Sequence, residues 1–224
     1  MKKTAQSICS AVEKCIDSVV PPQVTNCIDE NLQIQKRLDW YVSTYPDIRA
    51  FFDDITKRKA WSLSNVRLGF LLVYGWMPTT VKSFDADIAI DLARLLNEGS
   101  DHATLSRLAG RIANNSMVAG SKFLHFYDPL RFPITDSVLQ QISGVPTRNH
   151  GAHACYELYC DALALISKDH RRRARRWALA VFGYRVTTTR AVEALVFYSL
   201  KDKKKKSHAA QTGAAIQPRS TTAP

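Results

Sequence analysis

The residues with the clearest chemical potential lie between Ala119 and Ser137. The run Ala119-Gly120-Ser121-Lys122-Phe123-Leu124-His125-Phe126 is followed by Phe132-Pro133-Ile134-Thr135-Asp136-Ser137, which sets an amine and a carboxylate fourteen residues apart. A lysine held partly desolvated at a helix beginning can lose its proton and attack a carbon as a neutral amine. A carboxylate nearby can orient that amine or steady a developing cation. Gly120 and Ser121 are small enough to let another backbone, such as a phosphate, approach a helix N-terminus. Lys122 and Asp136 are thus the candidate catalytic pair, and Gly120 and Ser121 candidate nucleic-acid contacts. Each chemical reading has a structural alternative. Asp136 is also a good N-cap, Lys122 an ordinary helix lysine, and His125, between two aromatics, a satisfied core histidine.

The elements that must position these groups read as helices almost throughout. Ile8, Val12, Cys15, Ile16 and Val19 recur at helical spacing before Pro21-Pro22. Ile28 to Tyr41 suggests a second helix, and Pro46 or Asp47 to Lys59 a third. Leu63 to Met77 is the most apolar stretch and reads as the central buried helix, capped by Ser62 or Ser64. Asp85 and Asp87 open a helix that Gly99 closes, and Ser100 or Asp101 opens the next, through Ile112. Asn114-Asn115-Ser116 is a break, followed by a short helix over Met117 to Phe126. Phe132 to Thr135 is extended, because the residue before a proline avoids the helical region. Further helices are expected over Asp136–Ile142, Ala152–Ser167, Asp169–Phe182 and Thr189–Leu200. The fold class is all-α, a bundle of roughly ten short helices in one body or two lobes. Residues 1–200 form the globular domain, and 201–224 a disordered basic tail.

Charge is unevenly spread. The net charge is +11, yet Lys168–Arg176 holds six basic residues and one acid, and Lys201–Pro224 again holds six basic residues and one acid. Each segment carries +5, which leaves the remaining body at +1. A near-neutral body with one basic strip fits a polyanion bound through one face. On a helix Arg172, Arg175 and Arg176 share a side, with Trp177 and Leu179 turning inward and Arg171 and Arg173 pointing elsewhere. Such a broad strip suits backbone phosphates and not the reading of one base. Arg148, in the Thr147–Gly151 loop, is a further candidate phosphate contact. Arg190 and Glu193 read as a modest i, i+3 pair on a closing structural helix, worth a few tenths of a kcal/mol.

The stretch from Ile112 to Ile142 resembles the helix-hairpin-helix DNA glycosylase superfamily. Ala119-Gly120-Ser121-Lys122 is similar to the end of that family's hairpin and its lysine, and Phe132-Pro133-Ile134-Thr135-Asp136 to its aspartate segment. The resemblance implies an all-α, two-lobed fold whose hairpin grips the DNA backbone. It implies Lys122 as nucleophile at a sugar carbon and Asp136 as its assistant. This chain carries Asn115-Ser116-Met117-Val118-Ala119-Gly120 where the family has a glycine-rich L-P-G-x-G, and it lacks the four-cysteine cluster of some members.

Three functions remain open on these grounds: a DNA-binding protein with base-excision or lyase chemistry, a non-catalytic nucleic-acid-binding module, and a helical protein with an acidic partner. No cofactor is expected. His150, His153, Cys155 and Cys160 do not form the two separated pairs that zinc prefers, so no metal site is expected either. The five cysteines (Cys9, Cys15, Cys27, Cys155, Cys160) include no C-x-x-C pair, and Glu13, Lys14 and Asp17 interrupt any leader-like run. A reducing cytoplasm with free thiols is the expected setting. No apolar run reaches the roughly 18 residues that a membrane span requires.

Overall fold

The computed structural model describes residues 3–21, 40–77, 79–146 and 152–213, with side chains up to Lys201. About three quarters of the described residues are helical, and among them there are no strands. The helices are α1 (Ala5–Val19), α2 (Trp40–Ser43), α3 (Tyr45–Arg58), α4 (Leu63–Trp76), α5 (Ala86–Glu98), α6 (His102–Ile112), α7 (Met117–Tyr127), α8 (Gln140–Ser143), α9 (Ala152–Leu165), α10 (Lys168–Phe182) and α11 (Thr188–Gly213). Local chemistry sets their starts. Thr4, Ser62, Asp85, Asp101, Ser116 and Ser167 each turn a side-chain oxygen onto a backbone N–H of the first turn.

The centre of the molecule is α7. Every residue from Ala119 to Phe126 is buried, and Phe123 stacks on Phe70 of α4 at 4.6 Å and meets Phe52 of α3 edge-on at 5.1 Å. The expectation that α4 is the central helix is therefore corrected. Leu68, Leu71 and Leu72 form an exposed side of α4, with 46%, 52% and 37% of their surface open. The reason is steric. The small residues Ala119, Gly120 and Ser121 let α7 press against α6, and three aromatic neighbours close over its other sides. A Cβ at Gly120 would lie 2.6 Å from the Gly110 nitrogen. A span of leucines cannot come so close, so α4 covers α7 and presents its own far side outward.

The turn between α6 and α7 is held from outside. Asn114 and Asn115 both adopt left-handed backbone angles, φ 56° and 47°, a conformation that asparagine tolerates better than most residues. The Asn114 carboxamide oxygen accepts from the Lys82 and Ser83 amides (2.7 and 2.9 Å), and its Nδ2 donates to the Thr80 carbonyl at 2.9 Å. The break read at 114–116 is thus a tight helical hairpin clamped to the segment before α5.

Around this pair, α5 packs between α4 and α6, α1 lies on α9 and α11, and α10 lies on α11. One buried hydrophobic cluster runs through all of them. Cys9 and Cys15 are buried on α1 as small hydrophobes, and Cys9, Cys155 and Cys160 are free thiols. Two expected boundaries shift. Asp136–Ile142 is a turn followed by the single-turn α8. The last helix also runs past Leu200 to Gly213, because Lys, Ala and Gln continue a helix once a packed base has nucleated it. The rest of the expected disordered tail, the second helix before Trp40, and the loop of Arg148 lie outside the described residues. No helix among those described is long and apolar enough to cross a membrane.

Candidate functional site

Lys122 sits on the side of α7 that faces α11 and the extended segment after α7. That segment, Phe132 to Thr135, cannot pair with a strand, so four side chains satisfy its backbone. The His125 ring meets the Phe132 carbonyl through Nδ1 at 2.7 Å, and the Tyr156 hydroxyl donates to the Pro133 carbonyl at 2.7 Å. The Ile134 amide donates to Glu193 Oε2 at 2.8 Å, and the Thr135 amide to Ser121 Oγ at 3.1 Å. These bonds fix the segment against α7, α9 and α11, and deliver Asp136 beside Lys122.

The result is a cavity of about 390 Å³. Its charged lining is Lys122, Asp136, Arg190 and Glu193, and Tyr41, Trp76, Phe197 and Tyr198 contribute aromatic walls. The Lys122 side chain is 7% exposed. Burial lowers its pKa from 10.5 to about 8, although Asp136 and Glu193 pull the other way. No hydrogen bond or ion pair to another described residue holds the amine; the neighbouring charges act on it only across space. Asp136 is half-buried. Its Oδ1 accepts from the Val138 and Leu139 amides, both at 2.8 Å, so one oxygen caps the following turn.

Arg190 and Glu193 are not the modest surface pair read from their spacing. Both are buried, with Arg190 Nη1 bonded to Glu193 Oε1. The Arg190 guanidinium lies over Tyr45, Trp76 and Phe182 at 5.1, 5.7 and 5.8 Å from the ring centres. Burial pushes the Glu193 carboxyl up to about 7, against the pull of Arg190 and the Ile134 N–H. The sequence held one signal of this. Residues 191, 192 and 194–196 are all apolar, so α11 has no polar side at that level on which a charged pair could rest.

His125 is fully buried, and its pKa falls to about 3, first through burial and then through the Arg190 charge. The ring is neutral. Its Nε2 lies 2.9 Å from the Tyr45 hydroxyl, so Nδ1 carries the hydrogen given to Phe132 and Nε2 accepts. It is a satisfied core histidine that sets the exit of α7.

Of the expected nucleic-acid contacts, Gly120 and Ser121 are placed elsewhere. The space Gly120 leaves is filled by the Ala109–Gly110 backbone, and Ser121 Oγ spends its capacity on Val118 and Thr135. Neither offers an opening to a phosphate. Arg172, Arg175 and Arg176 share the exposed side of α10, with Arg172 paired to Asp169 at 2.6 Å. None of the three lines the cavity. Trp177 turns inward as expected, but Leu179 is 45% exposed, on the same outward side as Arg172 and Arg176. Arg173 is buried and ties α10 to α1 through Asp17 at 2.7 Å. Among the described residues no group of three or more His, Cys, Asp or Glu is placed to hold a metal ion. Comparison with known proteins found no matching family model, no matching curated protein and no matching solved structure.

Proposed function

We propose that this protein binds DNA and uses Lys122 as an amine nucleophile at a sugar carbon, in base-excision or abasic-site lyase chemistry. The observation that carries the reading is the state of that amine: buried, without a bonded partner among the described residues, and poised near pH 8 at the wall of a cavity with a carboxylate alongside. At pH 7 an amine of pKa about 8 is neutral in roughly one molecule in ten, against about one in three thousand for a free lysine. That supplies a nucleophile without a separate base. On an abasic site the neutral amine adds to the aldehyde carbon, and loss of water leaves an iminium joining sugar and lysine. Asp136, with one oxygen on the backbone and the other without a hydrogen bond among the described residues, steadies that cation and takes up protons. The exposed Arg172, Arg175 and Arg176 strip fits a partner held by its backbone phosphates.

The test is borohydride capture on duplex DNA with an abasic site, using the full chain. The iminium is reduced to a stable secondary amine, so a covalent protein–DNA adduct on Lys122 is expected from the wild type, and Lys122→Met should lose it, leaving at most a slow background from other lysines. A second reading, a DNA-binding module without chemistry, draws on the capping role of Asp136 Oδ1. It requires DNA binding that Arg172, Arg175 and Arg176→Glu abolish, with no adduct. Absence of DNA binding at low salt leaves an acidic protein as the partner.

A further inference from the structure

A second cavity, of about 330 Å³, lies on the other side of the Phe132–Thr135 segment. Pro133 and Val192 line this one, whereas Ile134 and Glu193 line the first, so the segment and α11 form a shared wall. Its polar lining is Arg131, Arg171, His102, Thr188 and Thr189, and no carboxylate lines it.

The charges there are poorly balanced. Arg171 is half-buried and gives its Nη2 to the carbonyls of Leu163 and Ala164, at the end of α9; it has no carboxylate partner among the described residues. Arg131 gives one nitrogen to the Ser100 carbonyl at 3.1 Å and reaches Asp128 only at 3.9 Å. Its guanidinium lies over the Phe132 ring at 5.1 Å. His102 stacks on the same ring at 4.5 Å, and its Nε2 is buried with no hydrogen-bond partner. Two guanidinium groups and an imidazole nitrogen unpartnered among the described residues thus border a hollow that no carboxylate lines, with Asp128 the nearest acid to Arg131 at 3.9 Å. Guanidinium forks match tetrahedral oxyanions, and threonine hydroxyls supply further donors. Arg175 stands one helical turn beyond Arg171, which brings the site to the start of the exposed basic strip on α10.

We infer that this cavity is a phosphate-binding site, formed by Arg131, Arg171 and His102. Its ligand is a phosphate group, carried either by a nucleic acid or by a small phosphomonoester. The inference does not rest on Lys122, and the two fail separately. His102 also faces Glu157 and Asp161 of α9, and burial together with the Arg131 charge holds its pKa below the ordinary value. A bound anion acts against that shift and favours the protonated ring.

The experiment uses the full-length protein and inorganic phosphate at constant ionic strength, balanced with sodium chloride. Thermal unfolding and the phosphorus NMR line of phosphate are followed together. The expected result is a saturable rise in Tm and a broadened line. Arg131→Gln and Arg171→Lys should each weaken binding roughly tenfold or more, since each removes charge-assisted bonds. Arg171→Lys retains the charge near the end of α9, which keeps the variant folded. Displacement of phosphate by a 5′-phosphorylated DNA duplex, and not by a nucleoside monophosphate, identifies a nucleic-acid ligand; the reverse identifies a small phosphomonoester. A wild-type response to phosphate no larger than to chloride overturns the inference, as does an equal response in wild type and both variants.

Discussion

Replacing Lys122 with methionine removes a charge from a place that solvates it poorly. Burial lowers the amine from 10.5 to about 8 even with two carboxylates near, which corresponds to about 3 kcal/mol spent on holding the charged form inside. Methionine has similar length and no charge, so Lys122→Met should recover most of this, about 2–3 kcal/mol at pH 7. For a chain of this size that is a rise in Tm of roughly 5–10 °C. The pH dependence carries the stronger signature. Below pH 8 both folded and unfolded chains hold the proton, and the full cost of the buried charge is present. Between about 8 and 10.5 the unfolded chain still binds the proton and the folded one does not, so wild-type stability climbs with pH relative to the variant. The gap should narrow steadily over that window. Paired thermal and urea unfolding of both proteins from pH 6.5 to 10 measures it. A variant less stable than wild type at pH 7, or a gap that ignores pH, refutes the reasoning that Lys122 is a strained buried cation.

Other expectations follow from the packing. Gly120→Ala places a methyl 2.6 Å from the Gly110 nitrogen and should cost about 1–3 kcal/mol in urea unfolding. Glu193→Leu leaves the buried Arg190 guanidinium and the Ile134 N–H without their acceptor and should cost about 3–5 kcal/mol; a loss under 1 kcal/mol contradicts the buried pair. Phe123→Ala, at the centre of α7, should cost about 3–5 kcal/mol, whereas Leu71→Gln on the exposed side of α4 should stay within about 0.5 kcal/mol. The His125 pKa lies near 3 when folded and near 6.5 when not, so acid should destabilise the protein as pH falls through that interval. His125→Gln should flatten this limb of the stability profile relative to wild type.

Much of the fold was legible. Capping residues and prolines marked the helix starts to within a residue or two at Ser62, Asp85, Asp101 and Ser116. The ranking of burial was not, because mean apolarity favours α4, while the choice of a central helix turns on how closely backbones approach. Gly120 supplies that closeness, and it was read as an opening for a ligand when its partner is Gly110. At the site, Lys122 and Asp136 were visible as types at a spacing, and both line one cavity. Arg190 and Glu193 were read only as neighbours on a helix. Their importance is tertiary: Ile134 and three aromatic rings, from distant parts of the chain, make that pair a buried wall. The basic strip on α10 could be placed on one side of a helix, but no periodicity says which cavity that side adjoins.

The central claim is that one particular amine attacks the sugar. Other lysines can form some iminium with an abasic aldehyde, and the sequence has four in a row from Lys203 to Lys206. Peptide mapping by mass spectrometry of the borohydride-reduced adduct settles where the bond forms. The account predicts that the nucleotide remnant sits on the peptide containing Lys122, with a trapping rate that rises as pH passes about 8. A remnant confined to the terminal lysines, or no covalent product from a protein that binds the same DNA, contradicts it.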